Sequence, residues 1–139
     1  MIAYFDTSAF IPLVVEEPGS PVATRLWDEA DRVVSVRLIY PEARAALAQA
    51  QRIGRVTTRQ LRALVEQVDS LYSHLDRLDI DEVLARRASG LAQQFGLRGD
   101  DAVHLAGAER LFGAELVLVT GDGPLLDAAT ALGIAVART

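Results

Sequence analysis

The segment Ile2-Ala3-Tyr4-Phe5 is apolar without interruption and runs straight into a carboxylate, Asp6. Such a run reads as a strand buried on both faces, as in a parallel sheet, with an acid at its carboxyl end. In an open parallel α/β sheet that end is where ligands bind. Strand-like runs recur at residues 32–36, 115–120 and 134–137, with a shorter one at 77–80. Helical patterns fill the gaps. Val22, Leu26 and Trp27 share one face of residues 18–30. Leu61, Leu64, Val65, Val68, Leu71, Tyr72 and Leu75 form one apolar stripe behind a cap at Thr57 or Thr58. Asp79 or Asp81 caps the next helix, which carries Val83, Leu84, Leu91 and Phe95 and stops at Gly96. Two more helices are expected over 101–112 and 125–132, ended by Gly113 and Gly133. Pro41 suits the first turn of a helix that begins near Tyr40. Alternation of strand and helix predicts an α/β fold with a parallel sheet.

A chain of 139 residues is expected to form one domain over 1–139, with a core of its own. It has no cysteine, which excludes disulfides and thiolate zinc sites and is compatible with a reducing cytoplasm. Every basic residue is arginine, so no mechanism can use a catalytic lysine. Asp6 interrupts the apolar start and no basic residue precedes it, so a signal peptide is not expected. No apolar stretch approaches the ~18 residues of a membrane helix. The net charge of -5 argues weakly against nucleic-acid binding, but a bound metal would reverse the sign of an acidic site.

Three further acids sit in unusual company. Glu42 lies inside an apolar-patterned segment, Asp101 opens Asp101-Ala102-Val103-His104-Leu105-Ala106, and Asp122 follows Leu116-Val117-Leu118-Val119-Thr120-Gly121. Each has a plain alternative. Asp6 suits a helix cap, Glu42 suits a first-turn position near the helix dipole, and Asp122 suits a turn. Asp100 after Gly99 suits the cap of the next helix, which would leave Asp101 without a structural task. If all four acids share one sheet edge they repel: at ~4 Å and an effective dielectric near 20, a like-charged pair costs about 4 kcal/mol. A divalent cation resolves that repulsion, and hard oxygen ligands select Mg²⁺ or Mn²⁺. Metal-assisted phosphodiester hydrolysis is the chemistry such a site offers. An acidic site needs arginines at its rim to hold phosphate, and Arg98 and Arg44 stand nearest the acids in sequence. His104, three residues beyond Asp101, is expected to pack at the core edge, with metal ligation or proton transfer as its alternatives.

Asp6-Thr7-Ser8, then Glu42, then Asp101-Ala102-Val103-His104-Leu105-Ala106, then Thr120-Gly121-Asp122 resemble, in that order, the PIN-domain family. They are most similar to the VapC-type toxins of bacterial toxin–antitoxin pairs, and the resemblance spans essentially the whole chain. It implies a three-layer α/β/α sandwich around a central parallel sheet, and Mg²⁺- or Mn²⁺-dependent endoribonuclease activity on RNA. It also implies homodimerisation and inhibition by a cognate VapB-like antitoxin. By motif position, Asp6, Glu42 and Asp101 carry over as the core acids and Asp122 as the more variable fourth. Thr7 or Ser8, and Thr120, carry over as hydrogen-bond donors near metal or phosphate. The Ala-x-His-Leu-Ala continuation selects Asp101 over Asp100.

Other classes fit less well. Phosphatases of the haloacid-dehalogenase type need a second aspartate two residues after the first, where this chain has Ser8. They and receiver domains ordinarily use a lysine, and a dinucleotide site needs a Gly-rich first turn; neither is present. The remaining non-enzyme alternative is an inactive PIN-like scaffold that binds RNA or protein.

Overall fold

The computed structural model describes residues 1–139. Five strands form one parallel sheet: β1 (Ile2–Phe5), β2 (Arg32–Val36), β3 (Asp76–Leu78), β4 (Leu116–Thr120) and β5 (Ala135–Arg138). Their spatial order is β3-β2-β1-β4-β5. The first strand therefore lies at the centre, with Ile2 opposite both Arg32 of β2 and Leu116 of β4. After β1 the chain winds outward through β2 and β3, then returns to the other side of β1 for β4 and β5. The crevice between β1 and β4 is the switch point of the sheet.

The helices are α1 (Thr7–Phe10), continued by a 3₁₀ turn at Ile11–Leu13, α2 (Ser20–Glu29), α3 (Ile39–Arg52), α4 (Thr58–His74), α5 (Glu82–Phe95), α6 (Gly99–Glu109) and α7 (Gly123–Ala131). Local chemistry explains most of their ends. Thr57 and Gln60 form a reciprocal capping box at the start of α4, Asp81 caps α5, and Gly96 ends it at φ +65°. One face of the sheet, with Tyr4, Val34, Val36, Leu116 and Leu118, packs against α5, α6 and α7 through Leu84, Leu91, Leu105 and Leu125. On the other face Ala3, Phe5 and Val119 meet α1 and α2. Phe10, Ile39, Leu47 and Val68 build the adjoining core of α3 and α4. Helices thus cover both faces, the three-layer arrangement expected.

The strand expected at 77–80 is shorter and one residue earlier, because its pairing with β2 sets its limits: Val34 faces Asp76 and Val36 faces Leu78. The helix expected to open at Asp101 begins two residues sooner. Gly99 is helical, Arg98 occupies the cap position without a side-chain cap bond, and Asp100 and Asp101 both lie in the first turn. Asp100 is therefore not the cap. The two acids instead share the positive end of the helix dipole. No helix is long and apolar enough to cross a membrane.

Candidate active site at the switch point

Asp6 follows the last residue of β1, and its amide continues the ladder onto the Val119 carbonyl of β4. Its side chain is almost fully buried. The carboxylate accepts from the Ala9 amide at 3.1 Å, from the Ser8 hydroxyl at 2.8 and 2.9 Å, and from the Thr120 hydroxyl at 2.8 Å. Asp6 is thus a helix cap and a candidate site carboxylate at once. Burial pushes its carboxyl above the usual range, against the pull of His104 and of the Thr120 and Ser8 hydroxyls.

The hydroxyls expected near metal or phosphate orient carboxylates. Thr120 is buried and also accepts from the Asp122 amide at 3.0 Å. Ser8 accepts from the Gly121 amide at 2.8 Å. Thr7 donates to Oε1 of Glu42 at 2.9 Å. Glu42 stands in the first turn of α3, where Pro41 is tolerated and where a negative side chain suits the dipole. Asp122 caps α7 through the Leu125 amide at 2.8 Å, so its turn role and its place at the edge coincide.

Asp101 has no comparable set of donors. Its carboxyl is pushed up to about 6 by burial, then by the charges of Asp122, Asp100 and Asp6, with only Arg98 acting the other way. This half-buried acid collects the repulsion of the edge. Arg98 is largely exposed and lies 3.5 Å from Asp100. Arg44 is committed elsewhere: its guanidinium donates to the Tyr40 hydroxyl at 2.9 Å and lies 5.6 Å from the centre of that ring.

The sequence undervalued His104. It is buried, its Nε2 lies 2.7 Å from Glu42 Oε1, and its Nδ1 lies 3.0 Å from the Tyr4 hydroxyl. The available signal was a histidine within the apolar run Val103-His104-Leu105, since a buried polar ring needs partners. Tyr4, inside β1, carried no such signal.

No three acidic or histidine side chains close around one point as ligands. The donor chemistry still fits Mg²⁺ or Mn²⁺. Mg²⁺ keeps several waters and is usually held by one or two carboxylates, and the negative charge gathered around Asp101 is what a cation would offset.

Comparison with known proteins agrees with this fold. The PIN domain pattern matches residues 3–130. Ribonuclease VapC49 of Mycobacterium tuberculosis is 38% identical over 136 residues, covering 98% of this chain and 94% of the relative. Among solved structures, PAE2754 from Pyrobaculum aerophilum superposes with a TM-score of 0.73 at 24% identity, covering 98% of this chain and 83% of that one. A toxin–antitoxin complex from Klebsiella pneumoniae gives 0.63 at 20% identity, covering 86% of each chain. The chain belongs to the PIN-domain family and, within it, to the VapC ribonuclease toxins.

Proposed function

We propose that the protein is a Mg²⁺- or Mn²⁺-dependent endoribonuclease, the toxin of a VapBC-type pair, acting on RNA phosphodiester bonds at the β1–β4 switch point. The observation that carries the reading is Asp101: half-buried, without strong cationic compensation, and acted on by Asp122, Asp100 and Asp6. Kinship with ribonucleases named VapC supports the activity class, and similarity to a toxin–antitoxin complex supports an antitoxin partner. Asp6, Asp101, Asp122 and Glu42 would hold the ion, one or two of them directly and the others through its waters. A bound Mg²⁺ or Mn²⁺ supplies charge neutralisation at phosphate and a more acidic water.

The chain's own residues do the rest. Ser8, Thr120 and the Ala9 amide hold the Asp6 carboxylate in one orientation. Thr7 does the same for Glu42. Arg98, exposed and only loosely paired, would take phosphate bidentately. Arg44 can join it only by leaving the Tyr40 ring. An antitoxin segment would need an apolar seat, and the cleft of about 320 Å³ lined by Val14, Val15, Val56, Ala63 and Leu64 is the apolar surface that would supply one. The Leu61, Leu64 and Leu71 side chains of the α4 stripe pack mainly within the monomer, which leaves less of that stripe for a homodimer interface.

Cleavage of a structured RNA with Mn²⁺ and with chelator, for wild type and for the Asp101→Asn and Glu42→Gln variants, tests the proposal. Metal-dependent cleavage lost in both variants is expected. Wild-type protein that binds RNA but never cuts it would favour the inactive scaffold.

A further inference from the structure

Glu42 is the site carboxylate with the most particular surroundings. Two donors, the Thr7 hydroxyl at 2.9 Å and His104 Nε2 at 2.7 Å, converge on one oxygen, Oε1. A carboxylate oxygen offers about two acceptor positions, so Oε1 is filled. Oε2 has no partner within the protein. An ionised carboxylate only accepts, so Nε2 keeps its hydrogen whichever charge the ring carries.

The ring is held from behind. In the neutral imidazole Nδ1 is then the acceptor, and the Tyr4 hydroxyl donates to it at 3.0 Å. A tyrosine hydroxyl keeps its hydrogen at neutral pH, so it serves as the donor. The two rings also meet edge to face at 5.9 Å. Tyr4 itself has no room to move: a Cβ at Gly107 would come within 2.8 Å of both its hydroxyl and the Val36 side chain. Gly107 lies three residues beyond His104 on the same face of α6. Both ring nitrogens are spoken for, so His104 does not itself ligate a cation in this arrangement.

We infer that His104, braced by Tyr4 against the bare backbone of Gly107, is a positioning residue that saturates Oε1 of Glu42 and reserves Oε2 for the cation. The inference rests on the metal-dependent reading above, but its geometry has a readout of its own. Outer partners of metal ligands are typically worth about 10–100-fold in affinity or activity.

Two substitutions separate positioning from packing. His104→Gln places an amide N–H near the site of Nε2, whereas His104→Asn reaches only the site of Nδ1. Manganese titration of the metal-free proteins is expected to show His104→Asn weaker than wild type by about tenfold or more. His104→Gln should recover most of that loss. In a Glu42→Gln background His104→Asn should cost nothing further, because the free carboxylate oxygen that His104 reserves is gone. A purely structural histidine gives equal losses in Gln and Asn and the same loss in both backgrounds, and that result overturns the inference. Nitrogen-15 spectra of the histidine rings in metal-free protein supply the second test. His104 should carry its hydrogen on Nε2, with Nδ1 as acceptor, and Tyr4→Phe should shift the Nδ1 resonance. A hydrogen on Nδ1 in neutral His104 refutes the geometry whether or not metal binds. A correct tautomer in a protein with no affinity for Mn²⁺ and no metal-dependent cleavage refutes instead the metal reading, and the reservation of Oε2 with it.

Discussion

At the scale of single residues, Asp101 is the side chain whose charge state the fold alters in a way that can be read directly. Burial and three neighbouring acids raise its carboxyl to about 6, above its value in the unfolded chain. The folded protein then binds the Asp101 proton more tightly than the unfolded protein does, so its contribution to stability falls as pH rises from about 4 to about 6 and stays low above that. Asp81 and Glu109, held down by Arg110 and Arg87 respectively, work in the opposite sense. Wild type alone would blend these effects; a difference between proteins isolates one. Asp101→Asn should melt higher than wild type at pH 7–8 in chelator, and the gap should close by about pH 4. Thermal melts across that range check this, and a gap independent of pH would mean that Asp101 is not under strain. Asp100→Asn should lower the pH at which the wild-type decline occurs, because one of the three repelling charges is gone, and should retain cleavage.

Elements are held by devices that differ in their distance from the site. The capping box of α4, Thr57 with Gln60, lies on an exposed end. Thr57→Ala should cost about 1 kcal/mol in a denaturation experiment and leave cleavage intact. Gly107 in α6 is different. A Cβ there collides at 2.8 Å with the Tyr4 hydroxyl and with Val36, so α6 must move off the sheet or the tyrosine must turn. Gly107→Ala should cost about 1–3 kcal/mol as overpacking, despite the better helix propensity of alanine. Because α6 carries both Asp101 and His104, cleavage should fall as well. Stability unchanged or raised by Gly107→Ala would show that the α6–β1 contact is looser than this packing implies.

For the whole molecule, binding and folding are linked. An ion that binds the acidic edge of the folded chain and not the unfolded chain stabilises it by mass action, by about 2.7 kcal/mol at a hundredfold excess over the dissociation constant. Mn²⁺ should therefore raise the melting temperature of wild type, and the rise should be much smaller for Asp101→Asn. Equal shifts in the two proteins, measured by calorimetry, would place metal binding away from this edge. The same scale governs biology: production of the chain without an antitoxin should arrest growth and leave cut RNA ends, which sequencing of those ends would map.

What the sequence determined by itself was what local forces determine. The apolar runs at β1 and β2, the amphipathic stripe of α4, the Thr57 and Asp81 caps and the Gly96 stop all depend on neighbours a few residues away. An acid after the first apolar run was legible for the same reason. Tertiary structure alone decided the strand order β3-β2-β1-β4-β5, which brings Asp6 and Asp122 to the crevice where the winding reverses. It decided that Thr120 serves Asp6 across 114 positions and that His104 serves Glu42 across 62. It also turned Asp100 from an expected cap into a second charge in the first turn, because Gly99 joined the helix. A cap, a turn and a site acid look alike in sequence, since Asp suits all three. Only the packed sheet edge set the two caps Asp6 and Asp122 beside Asp101, because only there do burial and the charges of distant segments act together on one carboxylate.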